Sequence, residues 1–132
     1  MKKSIRILLL FVFTVVTINL ITGCYKDKTV VFDTGNEITR PVSFATDIAP
    51  IFNSSCSLSG CHGTGGKTPN LSNGNAFSSL ISGNFVDVND PTSSLIYLWM
   101  TGKKSTPMPI GGINKEYNAL ILAWIKQGAQ NN

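Results

Sequence analysis

The sequence predicts an all-α domain of about four short helices, and three observations carry that expectation. Near the end of the chain Tyr117, Leu120, Ile121, Trp124 and Ile125 fall at i, i+3, i+4, i+7 and i+8, the spacing of one apolar helix face. Two earlier stretches, residues 76–81 and 95–100, gather apolar side chains between cap and stop residues. Outside them, only Thr29-Val30-Val31-Phe32 suggests a short extended segment.

Length sets the scale. The chain has 132 residues, three cysteines, one histidine and a charged fraction of 14%, which is room for one small domain. It opens with Lys2, Lys3 and Arg6, followed by a mostly apolar run over residues 7–20. Fourteen residues suit the core of a secretory signal better than a membrane span. The run closes on Leu20-Ile21-Thr22-Gly23-Cys24. That pattern resembles the lipobox of bacterial lipoproteins, which implies removal of residues 1–23 and a lipid on Cys24. The other reading is an ordinary signal peptide with Cys24 left as a spare thiol.

Export changes the charge. Loss of Lys2, Lys3 and Arg6 lowers Lys plus Arg from 11 to 8 against 7 acidic residues. The formal +4 thus falls to about +1, and no nucleic-acid partner is inferred. Residues 24–41 are polar and aperiodic, and read as a lipidated anchor and flexible tether. Seventeen flexible residues after Cys24 reach roughly 23 Å.

The folded domain is expected over residues 42–132. Ser43, followed by Thr46 and Asp47, marks a helix start, with Phe44, Ile48, Ile51 and Phe52 at helical spacing. Pro50 should make that helix start late or bend. The helix leads into Cys56-Ser57-Leu58-Ser59-Gly60-Cys61-His62, where two cysteines precede the only histidine. In the C-x-x-C-H signature two thiols form thioethers to haem and the adjacent imidazole ligates iron. Here the spacing is C-x4-C-H, with Cys61-His62 intact and two additional residues for which Gly60 allows an outward bulge. A Cys56–Cys61 disulfide closing a small loop is the plainer alternative. Zinc lacks a fourth ligand, since no second histidine exists.

After His62 a glycine-rich loop, residues 63–70, either lets backbone approach a flat macrocycle or is simply flexible. Ser72 or Asn73 can cap a helix carrying Ala76, Phe77, Leu80 and Ile81, stopping at Ser82-Gly83. Asp90-Pro91 starts another, with Leu95, Ile96, Leu98, Trp99 and Met100, ended by Gly102; Trp99 is expected in core packing. Then Pro107-Met108-Pro109 sets a methionine in a proline-braced loop. A thioether there is a suitable second axial ligand for haem iron. Met100 competes, but its helical setting favours packing. The last helix is capped by Asn114, carries Glu116 and Lys126 at its two ends, and has Gly128 placed for a C-terminal cap. It must bury its stripe, most economically against the helix before Cys56.

On these residues, 42–132 resembles a small class I cytochrome c domain of the kind found in bacterial lipoproteins. The similarity rests on Val42-Ser43-Phe44 through Asp47-Ile48-Ala49-Pro50-Ile51-Phe52, Cys61-His62-Gly63, Asp90-Pro91 through Ser94-Leu95, Met108-Pro109 with Gly111-Gly112, and Ala123-Trp124-Ile125 through Gly128-Ala129. The resemblance implies a cytochrome c-like fold around one covalently bound haem c. It also implies crossed first and last helices, Cys56 and Cys61 as thioether donors, His62 proximal and Met108 distal.

The implied function is electron transfer rather than catalysis, as a free-standing carrier or the redox subunit of a larger oxidoreductase. The expected partner is a redox protein, whether dehydrogenase, oxidase or another cytochrome; Lys103 and Lys104 are either a solvated turn, the plainer reading, or a patch that steers an acidic partner. The location is lipid-anchored, periplasmic or outer-membrane associated, and Tyr25 after Cys24 leans toward the outer membrane. Two alternatives stand beside this: a haem sensor or enzyme with a labile sixth ligand, and a non-haem surface lipoprotein holding a Cys56–Cys61 disulfide.

Overall fold

The computed structural model describes residues 36–132. The leader, Cys24 and most of the tether lie outside the described residues. Regular structure among the described residues is entirely helical. A π-helical turn, Phe44–Ile48, runs directly into α1 (Ala49–Ser55). There follow α2 (Ala76–Ser82), a 3-10 turn at Pro91–Ser93, α3 (Leu95–Met100) and α4 (Lys115–Lys126).

The first helix begins where Ser43 predicts. Its hydroxyl accepts from the Thr46 N–H at 3.3 Å, while Asp47 Oδ2 accepts the Ser43 N–H at 2.9 Å, a reciprocal cap. Arg40 grips the same carboxylate with two bonds of 2.7 and 3.0 Å. Two other donors of this turn, Phe44 N–H and Ala45 N–H, reach Oδ1 and the main-chain oxygen of Asn132. Pro50 explains the wide first turn. Lacking an N–H, it cannot pair with the Thr46 carbonyl, so the chain opens to i→i+5 pairing, with Ala49 N–H donating to Phe44 O. The pitch tightens to α where proline occupies an early helical position, which it tolerates.

The first and last helices pack together through aromatic rings. Phe44 and Trp124 lie 5.3 Å apart between centroids, and Phe77 stands edge-on to Phe44 at 5.3 Å and 81°. Ile48, Phe52, Ile121, Trp124 and Ile125 are almost fully buried. Each aliphatic or phenyl side chain so buried contributes about 1.5–3 kcal/mol. The buried face of α4 is wider than a five-residue stripe, because α4 also packs on α3. It takes in Asn118, Ala119, Leu122 and Ala123, leaving Tyr117 and Leu120 half-buried. Ile38 packs against this core, and Gln127 accepts from Val42 N–H and donates to Arg40 O. The end of the expected tether is therefore held against α4.

Three helices stop by one device. Gly128 (φ +93°) and Gly102 (φ +72°) turn left-handed after α4 and α3. Ala129 N–H returns to Trp124 O at 2.9 Å and Lys103 N–H to Leu98 O at 2.9 Å, each the six-to-one bond of a Schellman motif. After α2 the left-handed residue is Asn84 (φ +55°), not Gly83. Gly83 is needed for space, since a Cβ there would lie 2.5 Å from the Phe85 ring.

Two starts differ from expectation. The helix foreseen from Asp90 breaks at Ser94, whose buried hydroxyl accepts from Asp87 N–H and donates to Asp87 O; α3 begins afresh at Leu95. At α2 the Ser72 main-chain carbonyl, rather than the side chain of Ser72 or Asn73, accepts the N–H groups of Asn75 and Ala76.

Candidate functional site

The cysteine loop grows out of the end of α1. Cys56 N–H and Ser57 N–H both donate to Phe52 O, which closes the helix. The chain then leaves and returns at once. Cys61 N–H donates to Leu58 O at 2.9 Å across a four-residue turn whose third residue, Gly60, has φ +76°, as a type II turn requires. Leu58, Ser59 and Gly60 are exposed. His62 N–H donates to Cys56 O at 3.0 Å. The two additional residues are thus spent on an outward turn, and Cys56 is pinned beside His62.

The glycines after His62 serve this loop. A Cβ on Gly66 would fall 2.2 Å from the Cys61 carbonyl oxygen, and one on Gly63 would fall 2.8 Å from that of Ser57. The space they free is taken by the backbone of the cysteine loop. Lys67 N–H to Cys61 O (2.7 Å) and Leu71 N–H to His62 O (2.6 Å) finish the closure.

His62 is oriented by main chain. Its Nδ1 lies 3.1 Å from Pro69 O and 3.2 Å from Lys67 O. Carbonyl oxygens only accept, so Nδ1 carries a proton, and in the neutral ring Nε2 is then the nitrogen with the lone pair. A ligating histidine characteristically has this arrangement.

Two cavities meet at these side chains. One, of about 300 Å³, is lined by Cys56, His62, Met100 and Met108 with apolar walls from Phe52, Phe85, Ile96 and Trp99. The other, of about 210 Å³, is lined by all four expected residues, Cys56, Cys61, His62 and Met108, together with exposed Leu58 and Ile110. Met108 is placed by its N–H, which donates to Trp99 O at 3.1 Å. Met100 is buried in the core cluster yet also lines the first cavity. Trp99, expected in core packing, is half-buried and forms cavity wall. Lys103 and Lys104 are exposed.

One imidazole, two thiols and two thioethers line cavities whose walls are otherwise largely apolar. Among the described residues no three His, Cys, Asp or Glu side chains converge as metal ligands, so Cys56, Cys61 and His62 do not form a zinc-type cluster. The two thiols are not bonded to each other. Burial, reinforced by Cys61 nearby, pushes the Cys56 thiol up to about 11, so it stays protonated at neutral pH. No carboxylate lines either cavity, and Lys67 is the one charged residue lining both. That leaves room for a ligand bearing acidic groups.

The spacing of two cysteines and a histidine announces part of this site; the Pro69 and Lys67 carbonyls and the walls from Phe85 and Ile96 are visible only in three dimensions. No protein-family model, no curated protein and no solved structure matches this chain.

Proposed function

We propose that this chain is a monohaem c-type cytochrome, a lipid-anchored carrier of single electrons on the exported side of the membrane. The observation that carries the reading is His62. Main-chain carbonyls hold its Nδ1–H, which leaves Nε2 as the nitrogen able to bind a metal, and His62 and Met108 line the same apolar cavity. In this reading Cys56 and Cys61 would hold haem through thioethers, and His62 through Nε2 and Met108 through its sulfur would be the protein ligands to iron. When bound, haem supplies a one-electron ferrous/ferric couple.

The residues around it do the rest. Thioether attachment would need both cysteines reduced, and Cys56 and Cys61 are not bonded to each other. Phe52, Phe85, Ile96 and Trp99 would give the bound group an apolar wall, and an apolar surround favours the less charged ferrous state. With two protein ligands assigned, exchange chemistry at iron is suppressed and electron passage at the exposed edge is the natural activity. Leu58 and Ile110 are exposed apolar residues lining the second cavity, and would be available to a docking partner there. The lipid on Cys24 tethers the domain, and its partner is another redox protein.

Carbon monoxide tests the assignment of the sixth ligand. Ferrous wild type and Met100→Ala should bind it slowly, and Met108→Ala rapidly. Rapid binding by wild type would point instead to a sensor or enzyme with a labile ligand.

A further inference from the structure

We propose that Ser79, on α2 and lining neither cavity, is a positioning residue that tunes the donor strength of His62 through a single peptide group. The peptide between Pro69 and Asn70 is bonded at both ends. Its carbonyl, Pro69 O, accepts His62 Nδ1–H at 3.1 Å, and its N–H, on Asn70, donates to Ser79 Oγ at 2.9 Å. Hydrogen bonds in series through one amide polarise each other. Donation to Ser79 makes Pro69 O the stronger acceptor, draws the Nδ1 proton outward and raises the basicity of Nε2.

The surroundings are built for this bond. Serines in helices commonly bond back to their own preceding turn. Ser78 and Ser82 do so, to Asn75 O and Ser78 O, whereas Ser79 Oγ takes the loop N–H. Asn70 Oδ1 fixes the peptide from the far side by accepting Ser72 N–H and the Ser72 hydroxyl at 3.1 and 2.7 Å. Of the two carbonyls sharing the His62 proton, that of buried Pro69 is the drier; Lys67 is exposed.

The inference rests on His62 being the iron ligand, and its test separates the two claims. Because His62 is the only histidine, protein labelled with 15N-histidine gives one Nδ1–H resonance. Its shift and exchange rate, with the midpoint potential of the holoprotein, are compared across wild type, Ser79→Ala, Ser79→Thr and Ser78→Ala. Ser79→Ala is expected to speed Nδ1–H exchange at least twofold. It should raise the potential by a similar factor in relative ferric/ferrous stability, about 18 mV at 59 mV per tenfold. Ser79→Thr, which restores the acceptor, and Ser78→Ala should match wild type. Unchanged exchange and potential in Ser79→Ala would overturn the relay, as would an equal effect of Ser78→Ala. Protein that never takes haem would sink the cytochrome reading and the relay with it, whereas unchanged exchange and potential in haem-loaded Ser79→Ala sink the relay alone.

Discussion

One methyl group at residue 66 tests how tightly the cysteine loop is closed. A Cβ there stands 2.2 Å from the Cys61 carbonyl oxygen and 3.1 Å from that of Gly63. Carbon and oxygen meet at about 3.3–3.6 Å, so in Gly66→Ala the Cys61 carbonyl must retreat by roughly 1 Å. The retreat stretches the bond from Lys67 N–H to Cys61 O, and the Gly66 N–H to Gly63 O bond beside it. Two main-chain hydrogen bonds at about 1 kcal/mol each, with an overpacking cost of about 1–3 kcal/mol, give a loss of about 3–5 kcal/mol. Cys61 moves with its carbonyl, so haem loading falls as well. Gly111→Ala is the control. Its Cβ meets nothing within 4 Å and its backbone is not left-handed, so it should change stability by no more than about 0.5 kcal/mol. Urea denaturation and the haem-to-protein ratio read both variants. A Gly66→Ala protein within about 1 kcal/mol of Gly111→Ala and fully loaded would refute the loop closure described above.

Three further outcomes are expected. Haem-free protein should lack a cooperative thermal transition, because a domain over residues 42–132 is marginal in core size and the haem would form a large share of its apolar interior. A native-like calorimetric peak from that protein would contradict this. Arg40, chiefly through its hydrogen bonds, holds the Asp47 carboxyl below the usual carboxylate range. The stability this gives is present above about pH 4 and is lost as pH falls toward the folded-state value. Asp47→Asn should cost about 1–2 kcal/mol at pH 7 and flatten the acid limb of stability against pH, and an unaltered acid limb would rule out the cap. Tyr97 is fully buried and its hydroxyl has no protein hydrogen-bond partner. Tyr97→Phe should therefore hold or raise stability, by up to about 1 kcal/mol; a clear loss would show that the hydroxyl is satisfied, for instance by buried water.

Local rules carried much of the structure. Ser43, Asn114, Gly102 and Gly128 sit where capping chemistry places them, and the apolar spacing of α4 found the residues that meet the first helix. Legibility failed where a distant partner decides. Asp87 draws Ser94 out of helix geometry, and Gly83 is kept small by the Phe85 ring. The glycines at 63 and 66 accommodate the backbone of the cysteine loop. The buried face of α4 is broader than its stripe because α3 covers it too, bringing in Asn118, whose Nδ2 reaches Met100 O only at 3.5 Å. At the site, side-chain identity pointed to Cys56, Cys61, His62 and Met108. The carbonyls that orient His62 belong to residues whose side chains give no such signal.

The most direct measurement is a pyridine haemochrome spectrum, after acid-acetone extraction, of protein expressed with cytochrome c maturation factors. Haem that stays with the polypeptide and shows a c-type α band is the predicted result, and substituting Cys56 and Cys61 together should abolish it. Colourless protein, or haem that extracts freely, would contradict covalent attachment and turn the account toward the non-haem alternative.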